Sequence, residues 1–188
     1  MTDPRLFVAL PTPVALRESI TRATAPLRHS GADVRWEEAS KLHCTLKFLG
    51  PTPSALLPAL EAALSAAARG SKVPSIVYRG IGGFPSLRDP RVLWIGMEET
   101  AGTLTTLQAS VEERCAALGL PRDERAFHPH VTLGRVKSRR NIGELLETAE
   151  TVTFESPATA VGTLALIRSD LRPSGSVYIV LREFPLGS

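Results

Sequence analysis

The spacing of apolar residues changes period repeatedly along this chain, and each change marks an element. Arg5 to Leu10 is β-rich, and Val14 to Leu27 carries apolar residues at near-helical spacing after a proline, so a strand and then a helix are predicted. Asp33 to Glu37 and His43 to Leu49 interleave polar and apolar residues as strands do, and Gly50-Pro51 punctuates the second. Pro53 to Arg69 is rich in alanine and leucine and reads as a helix ending near Gly70. The order then returns: strands over Ser75 to Phe84 and Arg91 to Met97, a helix over Leu104 to Leu118, and a strand over His130 to Val136. A short helix over Ile142 to Ala149 follows, with closing strands at Thr151 to Glu155, Gly162 to Arg168 and Ser176 to Phe184. Their short connections favour antiparallel pairing over parallel crossovers.

This pattern predicts an α+β fold of two similar lobes, each an antiparallel sheet with helices on one face. The bare faces of the two sheets would then meet across a groove. That arrangement explains polar residues alternating into strands that otherwise look buried. Residues 1–188 read as a single bilobal domain; no strong boundary is visible, and Gly70 to Pro74 is the best place for one.

Composition narrows the class. Hydrophobic residues are 43% and charged residues 22% of 188, which argues against a disordered chain. No apolar run approaches the roughly 18 residues of a membrane span, and the N-terminus lacks the basic start and cleavage site of a secretory signal, so a cytoplasmic protein is expected. Two cysteines, Cys44 and Cys115, are too few for a disulfide framework or a paired-cysteine metal site, which leaves reduced, packed thiols. A net charge of +3 makes a phosphate-bearing partner plausible, though the only compact basic cluster is Lys137 to Arg140. Nothing marks an interface, so a monomer is expected.

The candidate chemistry lies in a repeat. His43-Cys44-Thr45-Leu46 and His130-Val131-Thr132-Leu133 write His-x-Thr-Leu twice, close to half a chain apart, in a protein with only four histidines. Strand alternation puts His43, Thr45 and Lys47 on one face, with Cys44, Leu46 and Phe48 on the other. In the second copy His130 and Thr132 share a face with Gly134, while Val131, Leu133 and Arg135 point away if the strand is regular. Two imidazoles and two hydroxyls then converge from opposite lobes. Such a set suits transfer at phosphorus: one imidazole takes a proton from the attacking oxygen, the other protonates the leaving oxygen, and the hydroxyls bond the non-bridging oxygens. No cysteine or carboxylate shares the face of either motif, so no metal and no other cofactor is expected.

These motifs resemble the two-histidine (2H) phosphoesterase superfamily, and within it the bacterial and archaeal RNA 2′,3′-cyclic phosphodiesterases first described as 2′-5′ RNA ligases. The likeness extends to Arg5-Leu6-Phe7-Val8-Ala9-Leu10, Gly83-Phe84-Pro85, Pro90-Arg91-Val92-Leu93-Trp94 and Phe127-His128-Pro129. It implies a bilobal, pseudo-twofold fold with an internal duplication, and hydrolysis of a 2′,3′-cyclic phosphate at an RNA end to a 2′-phosphate. It also implies that His43 is the proton donor, His130 the proton acceptor, and that Arg135 belongs with Thr45 and Thr132 in binding substrate. Cleavage or joining of 2′-5′ linkages in the same groove is the nearest alternative; a non-catalytic module that binds RNA ends is an alternative of another class.

Other residues have plainer expectations. His128 follows the parity of His130, but Pro129 interrupts the ladder, so it reads as structural or as groove rim. His29 sits at a helix end, facing solvent or capping. Lys47 reads equally as a phosphate ligand or a solvated rim residue. Phe48, Phe84, Phe127 and Trp94 could stack on bases, yet core packing is the stronger expectation for each, because aromatics are only 5% of the chain. Lys137 to Arg140 reads as a solvated basic turn.

Overall fold

The structure is a computed structural model that describes residues 3–173 and 175–187. Among these, nine strands form two antiparallel sheets. They are β1 (Arg5–Pro11), β2 (Val34–Trp36), β3 (His43–Pro51), β4 (Ser75–Phe84), β5 (Val92–Glu98), β6 (His130–Val136), β7 (Thr159–Ala160), β8 (Thr163–Arg172) and β9 (Gly175–Pro185). One sheet has the order β3-β1-β8-β9 and the other β2-β6-β5-β4-β7. The chain ends therefore meet in the first sheet, while the second takes its strands mostly from the middle of the chain. No single cut separates the two; Gly70 to Pro74 is one of several crossings between them.

The helices are α1 (Val14–Ala23), α2 (Ala25–His29), α3 (Leu57–Arg69), α4 (Thr103–Ala117) and α5 (Ile142–Thr151). Helices α3 and α4 pack on each other and cover the outer face of the first sheet, α4 against β3 and α3 against β8 and β9. The burial stripe Leu104, Leu107, Val111, Cys115 on α4 recurs every three or four residues, which is why that helix lies flat on the sheet. Helices α1, α2 and α5 bury Leu16, Ile20, Leu27 and Leu145 in the same continuous core. Strand β1 is buried on both faces: Leu6, Val8 and Leu10 enter the main core, while Phe7 and Ala9 join Ala165 and Ile167 in a smaller cluster on the opposite face. Both cysteines are free and buried, as expected.

Two expected elements differ. The helix expected over Val14 to Leu27 breaks at Thr24, because Pro26 has no N–H for the helical ladder and its ring crowds the preceding turn. The Thr24 hydroxyl closes the first helix by donating to Ile20 O at 2.8 Å. The strand expected at Thr151 to Glu155 is absent: α5 runs through Thr151, and only Glu155 forms an isolated bridge, to Arg79. Next to it Ser156 Oγ accepts the Tyr78 N–H at 2.9 Å, so a side chain takes the place of the next ladder bond. The short strand lies further on, at Thr159–Ala160, against Ser75 and Ile76.

Candidate active site

His43 and His130 are the first residues of β3 and β6, two strands that belong to different sheets but pack against each other. The tether on each ring is the same. His43 Nδ1 lies 2.6 Å from Lys41 O and His130 Nδ1 lies 2.7 Å from His128 O, in both cases the carbonyl two residues earlier. A carbonyl only accepts, so each Nδ1 carries the proton and donates it. Each Nε2 is then the free atom, a base when the ring is neutral and an acid when it is protonated.

Burial lowers the pKa of both rings from the ordinary 6.5. The carbonyl bonds oppose that shift. Charge adds to it: Arg135 disfavours the protonated form of either ring, His130 does so for His43, and His128 does so for His130. Arg135 thus lies within electrostatic reach of both imidazoles. Cys44 has the opposite fate, its thiol pushed up to about 12 by burial, which leaves it inert as a nucleophile.

Strict alternation would turn Arg135 away from the groove, and the structure has the irregularity that prevents it. Leu93 pairs with Gly134 and Trp94 with Thr132, so Leu133 is an extra residue and β6 bulges there. The same bulge occurs in β3, where Val8 pairs with Lys47 and Ala9 with Thr45, leaving Leu46 extra. In each motif the two residues after the threonine both point into the core and the third points out. Leu46 and Lys47 are buried with Phe48 exposed; Leu133 and Gly134 are buried with Arg135 exposed. Gly134 fits this inward turn because it has no side chain: a Cβ there would lie 2.7 Å from Val34 Cγ1 and 2.9 Å from Trp36 Cε3.

The bulge overturns both expectations for Lys47, which is neither a phosphate ligand nor a solvated rim residue. Its side chain is 0% exposed and its ammonium group donates to Glu112 Oε1 at 2.8 Å, Glu112 Oε2 at 2.9 Å and Pro121 O at 2.7 Å. Glu112 Oε1 also accepts the Asp123 N–H at 3.0 Å. The pair therefore clamps α4 and the segment approaching the second motif onto the back of the first.

The aromatic expectations divide. Phe127 packs against the core as anticipated. Phe48 does not: it is 63% exposed, its ring 6.1 Å from Phe7. Phe84 and Trp94 line the groove beside His130, at ring-centroid distances of 4.9 and 6.1 Å. Trp94 lies so close over Gly82 that a Cβ there would meet its ring at 2.1 Å. Opposite, His43 sits against Phe7 at 5.0 Å and edge-on to Tyr178 at 5.4 Å. Tyr178 was not singled out by sequence reasoning; its place in the alternation of the last strand was the available signal.

Thr45 and Thr132 are half-buried beside their histidines, and among the described residues neither hydroxyl has a protein hydrogen bond. His128 is exposed, with its ring 4.8 Å from Trp94 and its carbonyl engaged by His130, which is a rim role. His29 is exposed at the end of α2. The basic turn is solvated, with Arg139 Nη1 2.6 Å from Asp89 Oδ1. Among the described residues no three His, Cys, Asp or Glu side chains are grouped to hold a metal ion, and no helix is long and apolar enough to cross a membrane.

Comparison with known proteins gives one consistent answer. The model of the 2′-5′ RNA ligase superfamily matches residues 12–173. The RNA 2′,3′-cyclic phosphodiesterase of Methanothermobacter thermautotrophicus is 35% identical over 183 residues, 97% of this chain and 98% of its own length. That of Aquifex aeolicus is 38% identical over 156 residues, 81% of this chain and 82% of its own. Among solved structures, TT0787 of Thermus thermophilus aligns with a TM-score of 0.77 at 32% identity, covering 97% of this chain and 98% of that one. E. coli LigT complexed with 3′-AMP aligns with a TM-score of 0.71 at 28% identity over 100% of both chains.

Proposed function

This chain belongs to the 2′-5′ RNA ligase superfamily of two-histidine phosphoesterases, and we propose that it is an RNA 2′,3′-cyclic phosphodiesterase whose two histidines do the proton transfers without a metal. The observation that carries the reading is the matched pair of Nδ1 tethers, which leaves two Nε2 atoms as the free, titratable atoms of one groove. A cyclic phosphate at an RNA end lies between them. His130 takes a proton from water as its oxygen bonds to phosphorus, and His43 gives a proton to the 3′-oxygen as the P–O3′ bond breaks. The product is a 2′-phosphate with a free 3′-hydroxyl. The Thr45 and Thr132 hydroxyls, which no group among the described residues occupies, donate to the non-bridging oxygens, and Arg135 offsets the charge that gathers there. The two bulged strands are taken as copies of one duplicated unit in a single bilobal domain, which acts on RNA as a cytoplasmic monomer.

The test is incubation of an oligoribonucleotide bearing a 2′,3′-cyclic end, with and without a chelator, followed by identification of the phosphate position. Conversion to a 2′-phosphate at the same rate in both is expected. No turnover, or turnover abolished by chelation and restored by zinc, would overturn the reading.

The pH profile follows from the depressed imidazoles. One ring must be charged and the other neutral, so kcat/KM traces a bell whose limbs are the macroscopic pKa values of the pair in the free enzyme. With both rings lowered from 6.5, the maximum is expected below that pH and the rate is already falling at neutrality. Stability has the matching sign: the rings titrate lower when folded than when unfolded, so their contribution is full above the unfolded value and is lost as the pH falls through the folded ones. A rate maximum at pH 8 would show that burial does not govern these groups.

A further inference from the structure

Beside the reaction centre the second sheet carries a pair of cations that the two-histidine chemistry does not use as a pair. Arg35 of β2 stands directly opposite Arg135 of β6 in the antiparallel register. Both are exposed, and their strand neighbours Val34 and Trp36 turn the other way, into the core. The two guanidinium groups therefore share the groove face. Like charges directly opposite each other on neighbouring strands destabilise a sheet, and among the described residues neither guanidinium has an ion pair or a hydrogen bond.

Three further groups border the pair. Tyr178, which leans across from β9 of the other sheet against the His43 ring, has its hydroxyl within the field of Arg135, Lys41 and Arg35 and of the carboxylate of Glu37. Lys41 is held by Glu38 at 2.8 Å. Glu37 is the one carboxylate whose charge acts on the Tyr178 hydroxyl, where the charges of Arg135, Lys41 and Arg35 oppose it. The patch is thus net positive and is built from both sheets, and Arg35 lies one strand further out than the arginine that reaches the histidines.

We propose that Arg35 forms a second phosphate subsite that holds the 5′-phosphate of the terminal nucleotide while Arg135 attends its 2′,3′-cyclic phosphate. The proposal rests on the phosphodiesterase reading and adds a substrate preference to it: an RNA end, in which that 5′-phosphate is always present, over a free nucleoside cyclic phosphate. The scale fits. The two phosphorus atoms of one nucleotide are separated by a ribose, and adjacent strands by about 4.8 Å, a gap that two long side chains widen as they splay. Guanidinium suits the task because its planar fork bonds two phosphate oxygens at once.

The experiment compares adenosine 2′,3′-cyclic phosphate with and without a 5′-phosphate, in wild type, Arg35→Ala and, as a remote control, Arg69→Ala on α3. In wild type the 5′-phosphate should raise kcat/KM about tenfold, the size of effect expected of one hydrogen bond to a charged group. In Arg35→Ala that ratio should collapse towards one, and kcat/KM for the 5′-phosphorylated substrate should become less sensitive to salt, because one charge–charge contact is lost. Arg69→Ala should keep the wild-type ratio. A 5′-phosphate without effect in wild type, or a ratio that survives in Arg35→Ala, would overturn the subsite. If wild type hydrolyses neither substrate, the phosphodiesterase reading fails, and calorimetric binding of adenosine 2′,5′-bisphosphate against adenosine 2′-phosphate to the same proteins still decides the subsite by the same ratio.

Discussion

Replacing His43 or His130 with alanine is expected to lower kcat/KM on a cyclic-ended oligoribonucleotide by several orders of magnitude. Proton donation or acceptance alone contributes roughly 10²–10⁴-fold, and each ring also shapes the groove around the phosphate. The two variants should then part company on an aryl phosphodiester, whose phenolate leaves without needing a proton. Such a substrate should restore His43→Ala far more than His130→Ala, because water must still be deprotonated whatever the leaving group. Equal restoration of both would reverse or abolish the assignment of donor and acceptor while leaving the two-histidine site standing. Thr45→Ala and Thr132→Ala should each cost less, about ten- to a thousandfold, the usual loss for one donor to the developing charge. Folding is not at issue for the two threonines, since among the described residues their hydroxyls bond nothing in the protein.

Lys47→Met is expected to destabilise the protein by about 3 kcal/mol. The methionine keeps much of the length of the buried stem but leaves Glu112 and the Pro121 carbonyl without their shared donor, and removing one partner of a buried ion pair typically costs about 3–5 kcal/mol. The lower end applies because the Glu112 side chain is still 13% exposed and can recruit water. In a domain of this size the melting temperature should fall by about 6–12 °C. Removing both charges with Lys47→Met and Glu112→Leu should return much of the loss, since the cost lies in the orphaned partner. A single variant within about 0.5 kcal/mol of wild type by denaturant midpoint would mean that the clamp contributes nothing.

The repeated His-x-Thr-Leu and the near-complete set of elements were legible in the sequence because both are local. Alternation along β4 and β6 has a period of two, and the stripes on α3 and α4 a period near 3.6, so Ser75–Phe84 and His130–Val136 match their expected bounds residue for residue. The same locality placed His43, Thr45, His130 and Thr132 on common faces, since each motif is complete before its bulge. Breaks in local order were harder. Thr151 to Glu155 has the composition of a strand, but a helix already running through Thr151 and a serine side chain bonded to Tyr78 leave it no ladder to join.

Everything beyond Leu46 and Leu133 was decided by the tertiary structure. Which way Lys47, Phe48, Gly134 and Arg135 point depends on where one strand holds one residue more than its neighbour, a property of the pairing of β3 with β1 and of β6 with β5 and of neither strand alone. Lys47 reads as a polar groove residue until Glu112, 65 positions away, is brought beneath it. Phe48 reads as core until the bulge carries it outward. Arg35 carries no signal of its own in the chain and Tyr178 only its place in the alternation of the last strand; they come together around Arg135 only when an edge strand of each sheet is in place. Local periodicity fixes what a residue can be part of, whereas the direction of its side chain, and so the charge and shape of the groove, depends on pairing between segments distant in sequence.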